Sequence, residues 1–183
     1  MALRDIVKFS AWDIWDTPED GKIYEVIEGE LYVSPPPIVA HQWGSGNLFV
    51  LLFQYVDSHD TGRVFHAPIG VILGGHDGVQ PDLVYVSSAR LHIIKEKAIE
   101  GAPDLVVEIL SPSTRGRDRG IKRKAYERAG VAHYWIMDPR VQTLEAMRLS
   151  ASGYELVGVF GPNDVFQPEL FPGLKIAVAR LWA

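Results

Sequence analysis

Cysteine is absent from this chain of 183 residues, which excludes disulfides and thiolate zinc sites and fits a reducing compartment. Nor is there a run of about eighteen apolar residues that could cross a bilayer. The first twenty residues carry Arg4, Asp5, Asp13 and Asp16 where a secretory signal would be apolar, so a soluble, cytoplasmic chain is expected. An excess of positive charge is missing as well: the net charge of -5 argues against a protein that grips nucleic acid over its whole surface. The glycine-rich stretch Gly74–Gly78 is not followed by a helix, so it is not a phosphate loop. What is present is 47% hydrophobic content, enough to bury the core of one domain spanning residues 1–183.

Two acids stand where acids are expensive. Leu105 to Leu110 is an apolar run bounded by turn residues, which reads as a strand buried on both faces, and Glu108 interrupts it. A carboxylate there must be paired, protonated or bound to a cation. Pro81-Asp82 opens a second apolar strand, Leu83 to Val86, in the same pattern. If the two strands are neighbours, Asp82 and Glu108 converge. Two desolvated carboxylates repel unless a proton or a cation lies between them, and oxygen ligands suit Mg²⁺ or Mn²⁺.

After Ser111-Pro-Ser-Thr114, residues 118–129 are helical, with Gly130 as a left-handed cap. At about 100° per residue, Asp118, Lys122, Ala125, Tyr126 and Ala129 share one side. Lys122 therefore points toward the sheet and its acids, and Lys124 toward water. From Arg115 to Arg128 the chain carries seven bases against two acids, a local basic face that could hold a phosphate backbone or simply be solvated.

The ordered series Pro81-Asp82, Glu108, Ser111-Pro-Ser-Thr114, Asp118, Lys122 and Tyr126, Gly130-Val131, Tyr134-Trp135 and Asp138-Pro139 resembles the restriction-endonuclease family expanded in cyanobacteria, within the PD-(D/E)XK nuclease-like superfamily. Tyr24-Glu25 and Gly29-Glu30-Leu31 extend the match toward the start. The superfamily pattern places a lysine two residues after the acid, but Glu108 is followed by Ile109 and Leu110. In the family this chain resembles, a lysine from the following helix serves instead, and the matching position is Lys122, with Lys124 as the alternative.

The resemblance implies an α/β fold, a restriction-endonuclease-like mixed sheet flanked by helices, with an N-terminal addition over residues 1–37, a core over 38–138 and a C-terminal hairpin and tail over 139–183. It implies an endonuclease that hydrolyses phosphodiester bonds, with DNA the expected substrate, and Asp82, Glu108 and Lys122 as the catalytic set. Asp82, Glu108 and the carbonyl of Ile109 would hold Mg²⁺ or Mn²⁺. Two other readings compete: a non-catalytic nucleic-acid or protein-binding module on the same scaffold, and acid/base hydrolysis of a sugar by the two carboxylates. Whether Glu25, His41, Ser111 or Lys124 joins the site stays open.

The remaining elements follow from local signals. Ser10 caps a short helix, and residues 22–33 form a hairpin turning at Glu28-Gly29. Residues 38–56 form a long helix with Leu48, Leu51, Leu52 and Tyr55 inward. Short strands are expected at 63–67 and 69–73, a further strand at 133–137, and a hairpin over 143–160. Leu170, Phe171 and Leu174 of the tail either cover the sheet or meet another subunit in a homo-oligomer.

Overall fold

Strict alternation along the central strands sorts their side chains between two cores. The structure, a computed structural model, describes residues 8–183, so the first seven residues of the expected N-terminal addition lie outside the described part. In chain order the strands are β1 (Ile23–Ile27), β2 (Glu30–Ser34), β3 (Gly62–His66), β4 (Val71–Gly74), β5 (Asp77–Val79), β6 (Leu83–Ser87) and β7 (Ile99–Glu100). There follow β8 (Leu105–Ile109), β9 (His133–Asp138), β10 (Thr143–Ser150), β11 (Gly153–Phe160), β12 (Val165–Phe166) and β13 (Ile176–Ala177). Helix α1 is Val39–His59. A second helix begins at Arg115–Arg117, passes through a π-turn at Asp118–Lys122 and continues as Arg123–Ala129; together these form α2 (residues 115–129).

The central sheet has six strands in the order β11-β10-β9-β8-β6-β3 and is mixed, with β8 and β9 parallel and the other pairs antiparallel. On one face Leu83, Tyr85, Leu105, Val107, Ile109, Trp135 and Met137 pack with Leu48, Leu52 and Val56 of α1. On the other, Val84, Val86, Val106, Leu110, Tyr134 and Ile136 pack with Ala125 and Tyr126 of α2. Glu108 falls in the α2-facing row by the period of two. The register pairs Leu83 with Val107, so Asp82 and Glu108 come from adjacent strands of one antiparallel pair.

A single sheet is too simple a picture. The N-terminal hairpin joins a second, five-stranded sheet in the order β2-β1-β5-β4-β7. The segment 69–73 lies there and not beside β3, and the Gly74–Gly78 stretch forms the tight turn of the β4–β5 hairpin. Gly78 permits this assembly: a Cβ on it would stand 2.2 Å from the Ala11 carbonyl oxygen, so the Ala11–Trp15 turn can lie against β5 only because the side chain is missing. Ser10 caps that turn through a reciprocal box with Asp13, and Glu28-Gly29 turns the hairpin with both residues at positive φ.

The tail covers the sheet. Phe171 is fully buried against Trp135 and Tyr85, with Leu170 and Leu174 packed at the margin. Its β12–β13 ribbon is two residues long on each side, too short to be seen as alternation.

Candidate active site

Five segments of the chain deliver polar and charged side chains into one cleft of about 270 Å³. Its lining includes Glu25 from β1, Asp82 before β6, Glu108 and Ile109 from β8, Asp118 and Lys122 from α2, and His41 from α1. Each of these acids, and Lys122, is buried.

Lys122 is the hub. Its Nζ lies 2.6 Å from Glu108 Oε1 and 2.7 Å from Glu25 Oε1, with Asp118 Oδ1 at 3.8 Å. Glu108 Oε1 also accepts a short hydrogen bond from the Tyr126 hydroxyl. Glu25 Oε1 accepts from the Gln80 amide at 2.9 Å, and Arg117, which donates to Ser34, stands 4.0 Å from its other oxygen. Asp82 is held on both oxygens: the Ile109 N–H donates to Oδ2 at 2.7 Å, and His41 Nε2 lies 3.2 Å from Oδ1.

The electrostatics follow from four carboxylates sharing a desolvated cleft with one lysine. Burial raises Glu108 well above the usual carboxylate range; Lys122 pulls it back, and Asp118, Asp82 and Glu25 push it further up. Asp118 is raised for the same leading reason. For Lys122 burial favours the neutral amine, but Glu108, Glu25 and Asp118 together outweigh it and hold the ammonium above its ordinary value.

These shifts carry a sign that can be measured. A carboxyl raised on folding binds its proton more tightly in the folded chain, so in the metal-free protein stability rises as pH falls from the elevated folded value of Glu108 toward 4.5. The lysine contributes in the opposite range: its stabilisation is complete below 10.5 and is lost as pH rises above it. We expect thermal unfolding in chelator to occur at higher temperature near pH 5 than near pH 8. In Glu108→Gln this slope should flatten; an unchanged slope would assign it to other groups.

The expected residues lie as follows. Asp82, Glu108, Ile109 and Lys122 line one cleft, and Ser111 lies at its rim. Lys124 is exposed and outside it. The helix is not the regular α-helix expected from 118, because the π-turn intervenes; the four-residue spacing still sets Asp118, Lys122 and Tyr126 inward. Glu25 and His41 are also brought in, and His41 had a legible signal: it shares the inward row of Ser45, Leu48, Leu52 and Val56.

The basic face is corrected. Arg115 pairs with Asp138, Arg119 with Glu145, Arg128 with Glu28 and Asp77, Arg117 with Ser34, and Arg123 with the Tyr154 carbonyl. Acids distant in sequence pair with Arg115, Arg119, Lys122 and Arg128, so most of the run is not a free phosphate-binding stripe; Lys124 faces outward. Among the described residues no three or more His, Asp or Glu side chains are grouped closely enough to chelate an ion by themselves. The donor set nevertheless suits a hard cation that keeps several waters, since Mg²⁺ commonly takes only one or two carboxylates from a protein.

A mixed sheet flanked by helices, with buried acids and a lysine at the edge of two antiparallel strands, is a restriction-endonuclease-like nuclease fold. The solved structure of a "putative nuclease belonging to DUF820" from Anabaena variabilis ATCC 29413 shares it, with a TM-score of 0.78 and 22% identity over 95% of this chain and 97% of that one. No curated protein matches the sequence. The chain belongs to the Uma2 family, described as "Putative restriction endonuclease", whose model matches residues 7–179. No helix among the described residues is long and apolar enough to cross a membrane.

Proposed function

We propose that this chain is a metal-dependent endonuclease that hydrolyses phosphodiester bonds, with DNA as its substrate. The observation that carries the reading is the Lys122 ammonium between Glu108 and Glu25, in a cleft that Asp82 also lines. Restriction-endonuclease-like families generally use divalent cations, and the surplus of negative charge over Lys122 in this cleft favours one. Asp82, Glu108 and the Ile109 carbonyl would hold Mg²⁺ or Mn²⁺. When bound, such an ion lowers the pKa of coordinated water and offsets charge on the phosphate.

The remaining chemistry belongs to the chain. Lys122 keeps its proton at neutral pH, so it serves as a donor and a fixed positive charge for the developing negative oxygens, and not as a general base. Glu25 positions that ammonium through its 2.7 Å contact. Tyr126 fixes the rotamer of Glu108, and His41 with the Ile109 N–H fixes Asp82. A site built this way enters catalysis already oriented.

The test combines Mn²⁺ titration by calorimetry with incubation of the chain with plasmid and single-stranded DNA, with and without chelator. We expect saturable Mn²⁺ binding that is weakened by Asp82→Asn, and cleavage that chelator stops. Salt-sensitive DNA binding with no cut product and no Mn²⁺ uptake would overturn the reading in favour of a binding module.

A further inference from the structure

Helix α1 is apolar on both sides. Its inner row packs on the sheet, yet its outer row, Val39, Trp43, Val50 and Phe53, is exposed at 85, 56, 49 and 49%. Across its 21 residues there is no Lys, Arg or Glu, and Asp57 is the sole acid. A surface helix ordinarily places charge on its solvent face; one that is hydrophobic all round is ordinarily buried.

The spacing of the outer row is regular. Val39, Trp43, Gly46, Val50, Phe53 and Asp57 follow intervals of four and three, the seam of a helix pair. Gly46 sits at its centre. Glycine inside a helix is disfavoured against alanine, so it calls for a reason. Gly44 has one within the chain, since a Cβ there would stand 2.8 Å from the Trp182 ring. Gly46 has none: nothing lies within 4 Å of its missing Cβ. An exposed glycine midway along an apolar seam admits the backbone of a second helix.

We propose that a second copy of this chain covers this face, the two α1 helices packing antiparallel about a two-fold axis at Gly46. In that arrangement Val39 meets Phe53 of the second copy, and Trp43 meets its Val50. The charge pattern selects the antiparallel sense. Parallel helices would set the two Asp57 carboxylates together, whereas antiparallel ones set each beside the start of the other α1. That start has no side-chain cap, because Ile38 occupies the N-cap position, and a carboxylate is favoured there. The outer row offers on the order of 500 Å² per copy, and its rim of Ile38, Ala40, Gln42 and Gln54 extends this toward the ~800 Å² per partner of a standard interface. Ile38 also lines the cleft, so Phe53 of the second copy comes to stand at the cleft mouth. This inference does not depend on the chemistry proposed for the cleft.

The absence of cysteine makes the test clean. In sedimentation at micromolar concentration the full chain should run at twice 20.4 kDa, and Phe53→Lys should run as a monomer with an unchanged circular dichroism spectrum. Gly46→Cys should oxidise to a covalent dimer, because the axis brings the two thiols together, whereas Lys124→Cys on the exposed side of α2 should not. A parent chain that sediments at 20.4 kDa overturns the proposal, as does a dimer that survives Phe53→Lys while Gly46→Cys crosslinks no better than Lys124→Cys. Monomers that float with lipid vesicles would assign the face to a lipid surface and equally overturn it.

Discussion

Lys122→Met is expected to abolish cleavage and to lower the unfolding free energy by about 3–5 kcal/mol near pH 8, the range for removing one partner of a buried ion pair. The substituted side chain is close in length, so the loss is electrical and not a matter of volume. Glu25, Glu108 and Asp118 would be left facing one another with no ammonium among them. Lowering the pH should return much of that stability, because a proton can take the place of the missing charge. Urea denaturation near pH 8 and near pH 5, beside a plasmid-cleavage assay, measures both parts. Equal destabilisation at the two pH values would mean that packing and not charge is at stake, and parental cleavage would remove Lys122 from the mechanism.

Glu108→Gln should have the opposite stability consequence with the same catalytic one. Amide for carboxylate preserves shape, retains an oxygen for the Tyr126 hydroxyl, and leaves Lys122 paired to Glu25. It also removes one of the carboxylates crowded in the cleft, so unfolding should occur at or above the parental temperature. Cleavage should fall by about 10³-fold or more, since an amide is a poorer cation ligand and carries no compensating charge. Asp82→Asn should lose cleavage similarly, with an amide oxygen still available to the Ile109 N–H. The contrast distinguishes a site short of positive charge from a balanced salt-bridge network, in which deleting either sign would be costly. Retained cleavage in Glu108→Gln or Asp82→Asn would end the assignment of that residue.

The sequence made the central pair of acids and the inward lysine legible for one reason: each is a charge placed in a pattern that otherwise reads as buried. Glu108 interrupts an apolar strand, Asp82 opens one, and Lys122 shares a helix row with Ala125 and Tyr126. Glu25 gave no such signal, because β1 could equally have faced water; what closes over its carboxylate is Lys122 and Arg117 of α2 together with the Gln80 N–H, contacts between distant segments. The second sheet was hidden for the same reason. The run of bases misled in the reverse direction, since local charge counting cannot see that Asp138, Glu145 and Asp77 will fold back onto it.

The π-turn between Arg117 and Arg123 has a consequence for how the molecule tolerates change. A π-turn carries one residue more than regular helix needs, so deleting Gly120, beside whose Cα there is room for a side chain, should let the segment rewind as ordinary α-helix. The part anchored by Tyr126 would keep Lys122 in place, while everything before it would rotate by about 100° and carry Asp118 and Arg117 away from Glu25. One surplus residue thus acts as a phase shifter, setting the angular offset between the half of the helix that carries Lys122 and Tyr126 and the loop that leads into it.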